Sequence, residues 1–521
     1  MRKEFNITGI CRPAQHYMAD VSKKRTLTFD MVERGKYFII NRPRQFGKTT
    51  LLYSLTEKLQ KTGKYIVFNT SFEGIGDIIF NDESAFSSGF VRILARYAKV
   101  YAPFMVDWLK QQSVDINNLE QLSDCITEMQ AQTDKKIILI IDEVDKSSNN
   151  QLFVSFLAML RNKYLESDTF KTFHAVVLAG LHDVKSLKLK LRPNEEQKYN
   201  SPWNIAADFK VDMNLQPSEI KPMLDAYVSD TGVKMDTAAM AEDLFYYTSG
   251  YPFLVSKLCK TLDEEILPTK DVQEWTELDL EWAVKKLTLE TNTNFESLVK
   301  NLENNQFLYD FVSKMLVEGI FEDYSIHDPL ISLGLMFGIF KNGHGLKIHN
   351  KIYEEIIYHY MTSKTRMKSD ISMTEFTTSK HFKLANNALN MVLVLQKFQA
   401  FMQEQYSKHD RDFLERHGRL VFLAFMKPIL NGHGYDFKEV QISEERRLDV
   451  TITYYQHKYV AELKIWRGQV AHEEGLDQLS DYLDRLHLTE GYLLIFNHKE
   501  IKTWDSGWIN HKDKRIFIAW V

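Results

Sequence analysis

Cysteine is scarce in this sequence. Cys11, Cys125 and Cys259 lie far apart in 521 residues and form no Cys-x-x-Cys pair, which argues against a disulfide framework or a zinc site. Charge of one sign is lacking too. The 65 Lys and Arg residues and the 70 Asp and Glu residues leave a net charge of −5, so no bulk field recruits nucleic acid, and any such contact needs a local basic patch. Long apolar runs are missing. The most apolar stretch, Leu330 to Phe340, is too short to span a bilayer, and Met1-Arg2-Lys3-Glu4-Phe5 leads into no run of signal-peptide length. Internal repeats and low-complexity segments are also absent from the sequence. These absences predict a cytoplasmic protein with no membrane partner. What remains is 44% hydrophobic and 26% charged, an ordinary globular composition, in a chain long enough for about three domains.

The first constellation is Asn41-Arg42-Pro43-Arg44-Gln45-Phe46-Gly47-Lys48-Thr49-Thr50. The apolar run Tyr37-Phe38-Ile39-Ile40 before it reads as a buried strand, and Leu51 to Leu55 after it as a helix. That is the setting of a phosphate-binding loop. Backbone N–H groups at the helix start face the phosphates, Lys48 reaches the β/γ oxygens, and the Thr49 hydroxyl ligates Mg²⁺. Arg42 stands where the motif has glycine. A Gly-Lys-Thr triplet alone is a weak signal. Corroboration comes from Lys136-Ile137-Ile138-Leu139-Ile140-Ile141-Asp142-Glu143, an apolar strand ending in two acids where open α/β sheets bind ligands. Asp142 is expected to hold Mg²⁺, partly through water, and Glu143 to polarise the attacking water.

Further strands are expected at Tyr65 to Asn69 and Phe173 to Gly180, with helices over 84–130 and from Gln151 to Tyr164. Alternating strands and helices through residue 215 predict an α/β fold with a parallel sheet. Tyr17, Asp20 and Thr26 to Met31 read as helix and as the adenine-side wall. His182 or Asp183, after the strand that follows the acidic one, is a candidate γ-phosphate sensor. Residues 217–300 read as helical, with a capped start at Pro217-Ser218-Glu219-Ile220 and a turn at Gly250-Tyr251-Pro252. Residues 305–361 fit a small winged-helix module, and the polar stretch Thr362 to Lys380 reads as a linker.

A second constellation follows. Residues 383–431 read as helical. Arg446 to Tyr455 and Lys458 to Trp466 then read as a hairpin whose compact turn brings Asp449 to Glu462. Period-2 alternation puts Lys464 on the face of Glu462. Two carboxylates converge only if a divalent cation joins them, and such a cation positions water and stabilises a pentavalent phosphate. A lysine beside them orients the water or neutralises developing charge. Asp…Glu-x-Lys is the core of the PD-(D/E)xK phosphodiesterases. Gln478 and Tyr482, one turn apart on the next helix, and the apolar run Gly491 to Phe496 add to the pattern. Glu415 is the candidate third carboxylate, with Glu439 and Glu444 as competitors.

Taken together, Tyr17 to Met31, Arg42-Pro43-Arg44-Gln45-Phe46-Gly47-Lys48-Thr49, Leu178 to Val184, Ser201-Pro202-Trp203-Asn204-Ile205-Ala206, Gly250-Tyr251-Pro252 and Arg446-Arg447-Leu448-Asp449 through Glu462-Leu463-Lys464 resemble a bacterial family. Its members are AAA-ATPase-like proteins that carry a C-terminal PD-(D/E)xK nuclease-like domain. Arg42 in place of glycine is a habit of that family. The resemblance implies an ATPase related to the AAA and STAND groups, the Gly-x-Pro turn pointing to STAND. It implies a P-loop core over 1–215, a helical lid over 216–300, a winged-helix-like module over 301–361, a linker over 362–382 and an α/β nuclease-like domain over 383–521. The expected nucleotide set is Arg44, Gly47, Lys48, Thr49, Thr50, Asp142 and Pro252. The expected catalytic set is Glu143, Asp449, Glu462, Lys464, Gln478 and Glu415, with metal on Thr49 and Asp142 and on Asp449 and Glu462. ATP and Mg²⁺ are the expected cofactors, with Mn²⁺ as the alternative ion at the nuclease site. DNA is the expected partner, and self-association is expected to depend on nucleotide. Three functions stay open: an ATP-regulated nuclease, a STAND-like signalling or scaffold ATPase that binds nucleic acid without cutting, and a nucleotide switch with no nucleic-acid role.

Overall fold

The computed structural model describes the chain apart from residues 1, 74–78, 81, 145–150, 181–202, 204, 319–327, 342–345, 369–381, 407–417, 419–420, 424, 427–428, 431–433, 439–448, 455–456, 467 and 498–503. Two compact units form, one from residues 1–301 with 324–353, the other from residues 302–323 with 354–521.

The first unit is built on four parallel strands, β1 (Tyr37–Asn41), β2 (Tyr65–Ser71), β3 (Lys136–Asp142) and β4 (Ala175–Gly180), in the order β1-β4-β3-β2. Their near-continuous apolar runs are what a parallel sheet covered on both faces requires. Alternation sorts them. Tyr37, Ile39, Ile66, Phe68, Ile137, Leu139, Ile141, Val176 and Leu178 share one core. Helices α3 (Glu83–Tyr101), α4 (Val106–Asp115), α5 (Leu119–Ala131) and α6 (Gln151–Leu165) fill that core with residues such as Phe90, Leu109, Ile126 and Phe156. Ahead of them in the chain, α1 (Ser22–Glu33) packs on β4 and α2 (Lys48–Lys61) packs on β2. The sequence led us to expect Asp20 in the helix, but α1 starts only at Ser22. The Asp20 carboxylate accepts the Ser22 N–H at 3.0 Å, a local bond that competes with helix and starts α1 later. Tyr17 is buried among Phe5 and Tyr227, so it is a packing residue.

The helical part of this unit comprises α7 (Pro217–Thr231), α8 (Thr237–Thr248), α9 (Pro252–Thr261), α10 (Glu277–Leu289) and the start of α11 (Thr293–Glu303). A capping box of Gln216 and Glu219 begins α7, and one of Thr276 and Asp279 begins α10. The segment read as a winged-helix-like module holds α12 (Gln306–Ser313), α13 (Pro329–Met336), the antiparallel pair β5 (Phe340–Lys341) and β6 (Lys347–Ile348), and α14 (Lys351–Lys368). The unit boundaries fall inside it. Helix α14 also runs into the segment read as linker. Ile352, Tyr353, Ile356, Ile357 and Met361 recur at helical spacing and are buried, and this apolar face carries the helix past Thr362.

The second unit contains a six-stranded mixed sheet of β7 (Gly434–Lys438), β8 (Asp449–Tyr454), β9 (His457–Ile465), β10 (Glu490–Phe496), β11 (Ser506–His511) and β12 (Lys514–Trp520), in the order β11-β12-β10-β9-β8-β7. Strands β8 and β9 form the expected hairpin, and β10 pairs parallel with β9 and with β12. Helix α15 (Met391–Tyr406) and further helical residues through Leu430 pack on one face, with Ile452, Tyr454, Ala461, Leu463, Leu494 and Phe496. Helix α16 (Gln469–Arg485) covers the other through Leu476, Leu479, Tyr482 and Leu483, against Val460, Leu493 and Ile495.

Candidate functional site

The loop between β1 and α2 wraps around the Lys48 ammonium, which donates to the carbonyls of Arg42 at 2.8 Å and Pro43 at 2.9 Å. Gly47 stands at the head of α2 with φ of 76°, a conformation that favours glycine. Opposite, at the carboxyl end of β3, the Asp142 carboxylate accepts the Thr49 hydroxyl at 2.7 Å on one oxygen and the Glu143 N–H at 2.9 Å on the other. A hydroxyl and a carboxylate within one hydrogen bond of each other are the hard oxygen donors that Mg²⁺ takes, so these residues fit the ion. Glu143 holds a positive φ of 55°, an uncommon backbone for a side chain of its kind that costs energy and collects at functional sites.

Two contacts hold this loop from outside, and spacing in the sequence revealed neither. The Arg42 guanidinium donates to the carbonyls of Asn41 at 3.0 Å, Val211 at 3.0 Å and Phe209 at 3.4 Å, and lies over the Phe209 ring. Burial pushes it below its ordinary value. Arg42 is thus an anchor for the start of the loop. From the helical part, the Tyr251 hydroxyl donates to the Arg44 carbonyl at 2.6 Å, and the Tyr251 ring packs edge-on to Phe46. Pro252 lies beside Gly47, its Cγ 3.9 Å from where a β-carbon would stand. Gly250 makes that turn possible. It has φ of 73°, and a β-carbon there would overlap the Leu215 carbonyl and lie 2.8 Å from the Leu215 nitrogen. Behind Tyr251, Asn294 donates to its hydroxyl at 3.4 Å and accepts the Tyr353 hydroxyl at 2.7 Å. His349 meets Phe46 and Tyr251 at their edges. Burial holds its imidazole down at about 3, with the nearby Lys341 charge acting the same way.

In the second unit the β8–β9 register pairs Asp449 directly with Glu462, and direct antiparallel partners share a face. The face is known from the neighbours. Thr451, two residues from Asp449, meets the Tyr482 hydroxyl of α16 at 2.9 Å, and Val460, two residues before Glu462, packs with α16. The face is therefore the one α16 covers. Glu462 is only 3% exposed, and its Oε1 lies 3.2 Å from Lys464 Nζ. Among the described residues no group of three or more His, Cys, Asp or Glu side chains could hold a metal ion.

A model of an AAA-like domain family matches residues 11–354, well over half of the chain. The chain belongs to this AAA-like domain family. Solved structures to which it is similar include the Walker-type ATPase PABY2304 of Pyrococcus abyssi, at 10% identity and a TM-score of 0.47 over 68% of this chain and 99% of that one. Another is the ORC2 protein of Aeropyrum pernix, at 12% identity and a TM-score of 0.37 over 68% and 98%. No curated protein matches.

Within the AAA-like domain the structure gathers Lys48, Thr49, Asp142 and Glu143 at the sheet's carboxyl end, with Arg44, Gly47 and Pro252 around the loop. Thr50 is engaged elsewhere, its hydroxyl accepting the Cys11 N–H at 3.1 Å. His182 and Asp183 lie outside the described residues, as do Glu415, Glu439 and Glu444. Gln478 sits half-buried on α16. No helix among the described residues is long and apolar enough to cross a membrane.

Proposed function

We propose that this AAA-like protein binds and hydrolyses ATP between α2 and β3, and that its C-terminal domain is a metal-dependent DNA phosphodiesterase regulated by that ATPase. In the ATPase, Lys48 binds the β/γ oxygens, Thr49 and Asp142 would hold Mg²⁺, and Glu143 draws the proton from the water that attacks the γ-phosphorus as its bond to the β,γ-bridging oxygen breaks. The ion would supply positive charge on the phosphates. Arg44, Gly47 and Pro252 shape the loop, and Thr50 follows Thr49 in the first turn of α2, its hydroxyl taken by the Cys11 N–H.

The observation that carries the second half is the register that pairs Asp449 with Glu462, with Lys464 in ion contact with Glu462. A binding surface has no chemical need for two acids opposite one another on the helix-covered side of a sheet. Asp449 and Glu462 would hold Mg²⁺ or Mn²⁺, which would neutralise charge on the scissile phosphate. Lys464 orients the attacking water, and Gln478 supports it from α16. Glu415 is the third acid of this reading. Water adds to phosphorus and the bond to the leaving sugar oxygen breaks.

One observation favours a second reading. The bond from Tyr251 to the Arg44 carbonyl ties the loop to the helical part, which supports a STAND-like switch that binds nucleic acid without cutting. The test is incubation of the parent, Lys48→Ala and Glu462→Ala proteins with plasmid and linear DNA, with Mg²⁺ or Mn²⁺, with and without ATP. Cleavage is expected from the parent only with metal. It falls by about two orders of magnitude in Glu462→Ala, which keeps its ATPase activity, whereas Lys48→Ala loses ATP binding. DNA binding without cleavage under every metal condition refutes the nuclease and leaves the switch.

A further inference from the structure

Helix α16 carries a glycine in its middle, where glycine is the least favourable residue apart from proline. Gly475 has no positive φ that would call for it. Its reason lies on the sheet face that α16 covers. A β-carbon on Gly475 would overlap Lys464 Nζ and stand 2.7 Å from Cε and 2.9 Å from Cδ. The Lys464 side chain therefore runs through the space that every other residue at 475 would fill, and this path brings its ammonium to Glu462. One turn earlier on α16, the half-buried His472 imidazole is held below its ordinary value by burial and by the Lys464 charge, consistent with an ammonium lying along this side of the helix.

We propose that Gly475 is a positioning residue, the slot that holds the Lys464 ammonium at the Glu462 carboxylate. A β-carbon there forces the end of the Lys464 side chain off this path, and with it the ammonium from its place beside Glu462. The catalytic consequence rests on the phosphodiesterase reading above; the slot itself does not.

The test is a cycle of four full-length proteins: parent, Gly475→Ala, Lys464→Ala and the double variant. Each is melted, and each is assayed for metal-dependent plasmid cleavage. Lys464→Ala removes the three atoms nearest to the new β-carbon, Nζ, Cε and Cδ of Lys464. In that background Gly475→Ala is expected to raise Tm by about 1–4 °C, the gain of a better helix former. In the Lys464 background the same change is expected to leave Tm unchanged or lower it. Cleavage is expected to fall in Gly475→Ala about as far as in Lys464→Ala, with no further loss in the double variant. Equal Tm gains in both backgrounds overturn the slot. Full cleavage by Gly475→Ala alongside a loss in Lys464→Ala overturns the positioning role. A parent that cuts no DNA overturns the phosphodiesterase reading, while the Tm cycle still decides the slot.

Discussion

Replacing Tyr251 with phenylalanine deletes one oxygen and keeps the ring. Tyr251 is 1% exposed, and its hydroxyl joins the Arg44 carbonyl at 2.6 Å to Asn294 at 3.4 Å. The ring contacts with Phe46, His349 and Tyr353 survive the change, so no cavity of consequence opens. What is lost is a short bond to the loop and a partner for a buried amide. An orphaned buried polar group costs about 1–3 kcal/mol. Arg44 itself is exposed, so water can replace part of the loss at that carbonyl, which puts the expected cost at about 1–2 kcal/mol. If that energy holds the loop in the shape that receives phosphates, it appears as weaker binding, about 5–30-fold in Kd. Calorimetric titration of ATP and ADP into parent and Tyr251→Phe protein measures this directly. The nucleotide-induced rise in Tm, which follows ligand concentration over Kd, should shrink in step. Equal Kd values within twofold, with a lowered Tm in the absence of nucleotide, refute the reasoning and make Tyr251 a packing residue without influence on the loop.

The remaining predictions test the surroundings of that loop. His349 titrates at about 3 in the folded protein against an ordinary 6.5, so below 6.5 the unfolded chain takes up the proton first. Stability that is complete above that pH is therefore lost as pH falls. Between pH 7.5 and 5.0 the parent should lose about 2 kcal/mol more than His349→Gln, measured by urea denaturation; equal losses refute the assignment. Arg42→Gly restores the usual glycine of a phosphate loop but removes the bonds to Val211 and Phe209. It should lower stability by about 1.5–3 kcal/mol without tightening ATP binding, as read by urea denaturation and calorimetry. Tighter binding in Arg42→Gly would show that the arginine obstructs the site.

The readable parts of this chain were those in which neighbours in sequence are also neighbours in space. Tyr37 to Ile40 and Ile137 to Ile141 read as buried strands because a parallel sheet covered on both faces needs unbroken apolar runs. The pairing of Asp449 with Glu462 was legible because a short turn fixes the register of a hairpin. The unreadable parts are held by distant partners. The bond from Arg42 to Val211 spans 169 residues and that from Tyr251 to Arg44 spans 207, so no window on the sequence contains both ends. Composition misled at Thr362, where a polar stretch looked like linker although the buried face of the preceding helix carries it onward through Lys368. Two local rules are broken, by arginine at a glycine position and by glycine inside a helix. In each case a tertiary contact compensates, carbonyls for Arg42 and the Lys464 stem for Gly475. A break of local rules marks a place where some distant group holds the chain. In this protein the two breaks fall beside Lys48 and Lys464, the cations on which both proposed reactions depend.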